Sequence, residues 1–164
     1  MPAPHKRGMD EHTSGQEVNR DDGPREVIVR GVASGFTQEI TIGPHRIVAD
    51  EPTAVGGMDA GPNPYDFLLA ALGSCTSMTV GLYARRKGWP LEAVTVSLRH
   101  ARIHATDCRE CETREGMIDR IEIHLELVGS LTDEQRARLL EIAGRCPIHR
   151  TLTSEIDIRT ELRS

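Results

Sequence analysis

PNPYDFLLAALGSCTSMTVGLYARRK, residues 62–87, is the stretch that decides the fold, because residues 67–84 within it carry no charged side chain. Asn63 is a favourable N-cap, and Pro64 suits the first helical position, where its missing N–H costs nothing. Residues 85–87 are basic, as the last turn of a helix favours, and Gly88 suits the position just beyond the end. The pattern therefore predicts one long helix that begins at Pro64 and ends before Gly88.

The length and apolarity of this helix are also those of a membrane span. Its middle, however, reads Gly73-Ser74-Cys75-Thr76-Ser77, which is small and weakly polar. We therefore expect a helix buried at the centre of a soluble domain, and no membrane partner. A small-residue notch around a thiol is either a close-packing site or a reaction site, and the local pattern leaves both interpretations open.

Length and composition set limits on the rest of the chain. With 164 residues, the sequence predicts a single domain over residues 26–164, preceded by a disordered or loosely attached tail over residues 1–25. This tail has no apolar run of the signal-peptide kind, so we expect a cytoplasmic protein whose four cysteines are catalytic, metal-bound or inert. A net charge of -5 and a low aromatic content argue against a nucleic-acid partner.

In the segments around the central helix, apolar residues either alternate with polar ones, as in strands, or recur on one side, as in helices. Thr132 and Gln135 form a capping-box pattern that predicts a second helix ending at Gly144. Apolar parity changes between Leu98 and Ala101, which predicts a bulge near Arg99 and His100. The predicted strands are residues 26–33, 36–42, 45–49, 91–105, 117–128 and 155–162. This order indicates an α+β fold with antiparallel strands.

Two cysteines lie in organised local sequence. Cys75 falls about three turns into the long helix, too far for the N-terminal dipole, so a cation from another element would have to favour its thiolate. Cys146 precedes Pro147 and so takes an N-cap position, where backbone N–H groups favour a thiolate, with His149 three residues on. The alternative interpretation of the motif from Cys146 to His149 is a tight turn with an exposed histidine.

Together, GPNPYDFLLAALGSCTSMT and the later CPIHRTL resemble the osmotically induced protein C (OsmC) and organic hydroperoxide resistance (Ohr) family. The resemblance implies an α+β fold in which antiparallel sheets wrap around a long central helix in an intertwined homodimer. It also implies reduction of small organic hydroperoxides by a peroxidatic cysteine, matched by Cys75, with a resolving cysteine, matched by Cys146. An external dithiol would then reduce the resulting disulfide, and no cofactor would be required.

Two positions depart from the hydroperoxide-reducing members that this chain resembles. In those members a glutamate directly after Asn-Pro orients an activating arginine of the first hairpin, whereas here Tyr65 stands in that place and Asp66 follows it. The activation candidates are therefore Asp66, Arg30, Arg46 and His149. The alternative function is a binding or carrier module that keeps the fold without peroxidase activity.

A second cluster, HATDCREC, contains His104, Cys108 and Cys111. These ligand types at this spacing suit zinc, with Glu110, Glu112, a distant residue or water as a fourth ligand. The pair could instead be a reversible dithiol that re-reduces the main site, or two inert loop thiols. The sequence leaves all three interpretations open.

Overall fold

The protein, described here by a computed structural model over residues 25–163, is α+β. A three-stranded antiparallel sheet comes first, and a two-stranded antiparallel hairpin follows the central helix. The elements are β1 (Val27–Gly31), β2 (Gln38–Ile42), β3 (His45–Ala49), α1 (Pro64–Lys87), β4 (Leu91–His104), β5 (Met117–Gly129), α2 (Asp133–Ala143) and α3 (Pro147–Leu152). One-turn 3₁₀ helices lie at Thr53–Val55 and Ala105–Asp107. Apart from Arg25, the predicted tail lies outside the described residues.

Helix α1 begins and ends where its capping residues predict. The side chain of Asn63 accepts hydrogen bonds from the N–H groups of Tyr65 and Asp66, at 2.9 and 3.1 Å. The Asp66 carboxylate accepts the Asn63 N–H at 3.0 Å, which completes a capping box. At the other end Gly88 takes a left-handed conformation, with φ of 65°, that other residues adopt at a cost.

The core lies where α1 crosses the β4–β5 hairpin and α2. Val80 and Ala84 of α1 pack against Leu139 and Ala143 of α2, and hairpin residues such as Val94 cover them. The opposite side of α1 is open, and Met78 there is 72% exposed. By length and composition α1 could cross a membrane, although one such helix is weak evidence for a span.

The predicted bulge near Arg99 and His100 is wrong. Pairing between β4 and β5 is regular from Ala93 to His104, and the irregularity lies between Leu91 and Ala93. His100 lies on the same face as Leu98 in this regular strand, and its ring stacks on Tyr65 of α1 with centroids 4.3 Å apart. The strand therefore keeps its register through the change of apolar parity, and no extra residue is inserted there.

The predicted last strand, residues 155–162, is also wrong for the described chain. Residues 155–163 form no helix or strand, and Ile158 is 81% exposed. A strand requires a neighbouring strand for its backbone groups, and within residues 25–163 neither sheet takes this segment as a member. Alternation of apolar and polar residues therefore did not indicate strand pairing here.

The N-terminal sheet is little covered by the rest of the chain. All five residues of β1 are exposed, with Val27 and Val29 at 54% and 55%. Neighbouring residues of a strand point to opposite faces, so both faces of this strand are open. The sheet joins the helical half through the turn region 50–62, where the Asp50 N–H donates to the Pro62 carbonyl at 3.2 Å.

Candidate thiol site

Cys146 occupies the N-cap of α3, as its place before Pro147 predicts. Its sulfur accepts a hydrogen bond from the backbone N–H of His149 at 3.3 Å, and its side chain is fully buried. A second donor comes from the central helix, where the hydroxyl of Thr76 lies 3.4 Å from the same sulfur. These two donors hold the Cys146 sulfur at the contact between α1 and α3.

The contact with Thr76 brings the two cysteine motifs together. Thr76 is fully buried and directly follows Cys75, so the sulfur of Cys146 lies against the residue adjacent to Cys75. Both cysteines are free thiols, Cys75 half-buried and Cys146 buried. The more accessible thiol is therefore the one on the central helix, and the shielded thiol lies against the residue that follows it.

The small residues around Cys75 include a close-packing position, which is one of the two interpretations that the sequence left open. A side chain at Gly73 would meet Leu98 of β4, so this glycine permits close packing of the helix on the hairpin. The hydroxyl of Ser74 donates to the Ala71 carbonyl, and that of Thr79 donates to the Cys75 carbonyl. A cavity of about 390 Å³ lies between α1 and β4, and its lining does not include Cys75. Its lining residues are Asp66, Leu69, Ala70, Gly73, Ser74, Ser77, Val96 and Leu98.

The first turn of α1 takes part in a second group of contacts. Tyr65 stacks on the ring of His100, and His100 Nε2 lies 2.8 Å from a carboxylate oxygen of Asp119. Asp119 also lines a cavity of about 270 Å³ together with Leu72 and His149. These contacts tie the first turn of α1 to both strands of the hairpin, close to the segment that holds Cys146.

Asp50 organises the turn that leads into α1. Burial alone raises the pKa of this carboxyl group, but the N–H groups of Glu51, Ala60 and Met58 donate to it. The Thr37 hydroxyl adds a fourth hydrogen bond at 3.2 Å. Together these donors hold the pKa of Asp50 below its usual value, because they favour the charged form. The sequence does not indicate this role, because Asp50, Glu51, Met58 and Ala60 lie in a stretch of ordinary turn residues.

The second cysteine pair forms a disulfide. Cys108 and Cys111 are bonded to each other in the loop between β4 and β5. Sulfurs bonded in this way are not thiolate ligands for zinc. Among residues 25–163, no group of three or more His, Cys, Asp or Glu side chains is arranged to hold a metal ion, so His104 does not join the pair in a ligand set.

Comparison with known families decides the affiliation of the chain. A family model described as OsmC-like protein matches residues 56–161, which is more than half of the sequence. The chain belongs to the OsmC-like protein family. A search of curated proteins found no match.

Solved structures share the OsmC-like fold at low sequence identity. An OsmC-like protein from Mycoplasma pneumoniae is 19% identical with a TM-score of 0.62, covering 80% of this chain and 88% of that one. An organic hydroperoxide resistance protein OsmC from Legionella pneumophila is 17% identical with a TM-score of 0.61, covering 82% and 93%. A putative osmotic stress induced and detoxification response protein from Psychrobacter arcticus is 17% identical with a TM-score of 0.61, covering 79% and 88%. These likenesses show the fold.

The activation candidates of this OsmC-like chain are not gathered at Cys75. Asp66 serves the capping box, and His149 contributes its backbone N–H to Cys146. Arg30 and Arg46 lie exposed on β1 and β3, in the N-terminal sheet. The structure therefore brings the Cys146 sulfur against the residue that follows Cys75. The source of the activating cation stays a prediction.

Proposed function

We propose that this OsmC-like protein is a thiol-dependent peroxidase that reduces small organic hydroperoxides at Cys75, with Cys146 as the resolving thiol, in defence against oxidative stress. The observation that carries the proposal is the hydrogen bond from Thr76 to the sulfur of Cys146, which brings that sulfur against the residue that follows Cys75. A half-buried thiol next to a shielded, hydrogen-bonded one is the arrangement that such chemistry requires.

The reaction has three steps. The Cys75 thiolate attacks the O–O bond of the hydroperoxide, which becomes an alcohol after taking up a proton, and Cys75 becomes a sulfenic acid. The Cys146 thiol then attacks this sulfenic acid, so that a disulfide forms and water leaves. An external dithiol reduces the disulfide by exchange and is itself oxidised. Recycling of this kind suits a cytoplasmic location, where thiols are kept reduced.

Burial supports this order of events. A peroxide in solution must reach the first sulfur, and Cys146 is fully shielded whereas Cys75 is partly accessible. The hydrogen bonds from Thr76 and His149 hold the Cys146 sulfur in place against the residue that follows Cys75. Leu68, Leu72 and the exposed Met78 give the surroundings of Cys75 an apolar character, which favours an organic peroxide over hydrogen peroxide.

We further propose that the working form is a homodimer. The N-terminal sheet is open on both faces, the outer side of α1 exposes Met78 and Leu82, and residues 155–163 have no strand partner within residues 25–163. A second copy of the chain would cover these apolar surfaces and could bring Arg30 or Arg46 to Cys75. Light scattering should give about twice the chain mass of 18.1 kDa, and a single-chain mass at micromolar concentration would contradict the dimer.

A peroxidase assay tests the chemical proposal directly. Purified protein is supplied with dithiothreitol and either cumene hydroperoxide or hydrogen peroxide, and peroxide consumption is followed. We expect turnover that depends on Cys75 and is faster with the organic substrate. Absence of Cys75-dependent turnover with both substrates would overturn the proposal.

The competing function is a binding or carrier module on the same fold. The observation that favours it is the Tyr65–His100 stack, which occupies the place of the glutamate that orients the activating arginine in the hydroperoxide-reducing proteins that this chain resembles. Mass spectrometry after one equivalent of cumene hydroperoxide separates the two functions. A Cys75–Cys146 disulfide supports the enzyme, whereas slow oxidation scattered over several residues supports the module.

A further inference from the structure

The hairpin loop between β4 and β5 holds a pair of sulfurs that the proposed peroxidase reaction does not use. Cys108 and Cys111 are bonded to each other, with Cα atoms 5.5 Å apart, and only the exposed residues Arg109 and Glu110 lie between them. Both cysteines are partly accessible. An external thiol can therefore approach the bond without unfolding of the domain.

A purely structural role explains this bond poorly. A disulfide stabilises a fold mainly by closing a loop of the unfolded chain, and this loop is close to the shortest that can be closed. The hairpin already closes the segment, because His104 pairs with Met117 and the Ala105 N–H donates to the Gly116 carbonyl at 2.8 Å. The bond therefore adds little constraint that the backbone does not already provide.

Two hydrogen bonds hold the backbone of the loop on the Cys108 side of the pair. The Cys108 N–H donates to the Ala105 carbonyl at 3.1 Å, and the Arg120 guanidinium donates to the Asp107 carbonyl at 3.2 Å. These bonds hold the backbone before Cys108 whether or not the disulfide is intact.

The pair is too far from Cys75 to exchange with it inside one chain. Gly73 of α1 meets Leu98 of β4, so Cys75 lies near the level of Leu98 along the hairpin. Strand β4 then continues for six residues from Leu98 to His104 before the loop begins, or about 20 Å at the usual strand rise. A substrate for this pair must therefore come from outside the chain.

We propose that Cys108 and Cys111 form a second thiol–disulfide exchange site, whose substrates are external dithiols and their disulfides. A thiolate of the dithiol attacks one sulfur of the pair, the S–S bond breaks, and the released cysteine takes up a proton. The second thiol of the substrate then attacks the mixed disulfide, releases the other cysteine as a thiol and leaves the substrate as a disulfide. Two electrons and two protons pass from the dithiol to the pair, and the reverse reaction oxidises a dithiol.

This inference is independent of the proposed peroxidase function, and a variant that lacks the first pair tests it alone. In the C75S/C146S protein, dithiothreitol is added under native conditions, and thiols are counted by alkylation and mass spectrometry. We expect two added groups per chain, both on the 108–111 peptide, and none after treatment with the oxidised form of dithiothreitol. Circular dichroism should show the same helix content in both states. The matched control C75S/C146S/C108S should add one group in either state.

Two results would overturn the proposal. The pair is structural if alkylation occurs only after unfolding in guanidinium. It is a metal site if the reduced protein binds one equivalent of Zn²⁺ and no longer re-forms the bond with oxidised dithiothreitol. If the double variant fails to fold, the same labelling is done on the wild-type protein, because peptide mapping separates residues 108 and 111 from Cys75 and Cys146.

Discussion

The two cysteine pairs of this chain are brought together in opposite ways. Cys75 and Cys146 come from distant parts of the sequence and meet through Thr76 at a buried contact between α1 and α3. Cys108 and Cys111 are three residues apart in an exposed loop and are bonded to each other. The fold of the domain brings the first pair together, whereas the second pair is already close in sequence within one hairpin loop. Redox behaviour of the first pair should therefore depend on the fold, and that of the second on the loop.

The largest effect that separates the pairs is expected for peroxide turnover. Replacing Cys75 with Ser removes the attacking sulfur, and we expect a loss of about 100-fold or more with cumene hydroperoxide, since loss of a catalytic nucleophile cannot be compensated by binding. The C108S/C111S protein should retain turnover close to that of the wild type when dithiothreitol is the reductant. Equal losses in the two variants would remove the distinction between the pairs.

An intermediate effect is expected at the contact that joins the first pair. Thr76→Val keeps the buried volume and removes one donor to the Cys146 sulfur, so formation of the disulfide should slow roughly 5-fold, the equivalent of a hydrogen bond worth about 1 kcal/mol. Stopped-flow kinetics of disulfide formation after a single addition of peroxide would measure it.

The matched control for that variant is Thr79→Val. This hydroxyl donates to the Cys75 carbonyl within the same helix, and no hydrogen bond joins it to Cys146. We expect close to the wild-type rate of disulfide formation. An equal slowing in both variants would mean that loss of any hydroxyl on this helix disturbs the site.

The smallest effect concerns the support of the helix that carries Cys75. The pKa of Asp50 is held below its unfolded value, so its contribution to stability is present above that unfolded value, about 4 for an aspartate, and is lost as the pH falls through the lower folded value. Asp50→Asn should lower stability near neutral pH and weaken its dependence on pH in the acid range. Urea unfolding at several pH values would measure this, and an unchanged acid dependence would contradict the assigned role of Asp50.

Local signals in the sequence were sufficient for much of the fold. The caps of α1 and α2 and the N-cap position of Cys146 were predicted at the residues where they occur, because a cap depends on side chains within three or four positions. Partners distant in sequence were not predictable in this way. The regular register of β4 through its change of apolar parity was not evident from the sequence, and the alternation of residues 155–162 did not reveal that no strand within residues 25–163 pairs with them.

The candidate site shows the same difference between local patterns and contacts that are distant in sequence. The two cysteine motifs were recognisable from short sequence patterns, and the position of Cys146 at a helix start follows from Pro147 alone. The hydrogen bond from Thr76 crosses 70 residues, and no local pattern indicates it. The source of the activating cation likewise has no local pattern, because Arg30 and Arg46 lie on a sheet whose packing partner would be a second copy of the chain.

The central claim is that Cys75 attacks the peroxide and Cys146 resolves the product. The most direct test is to treat C146S protein with one equivalent of cumene hydroperoxide, add a sulfenic-acid reagent and map the label by mass spectrometry, with C75S protein in parallel. Without the resolving thiol the sulfenic acid should persist, so we expect the label on Cys75 in the first protein and no label on Cys146 in the second. A label on Cys146 in the C75S protein, with none on Cys75 in the C146S protein, would show that the two roles are reversed.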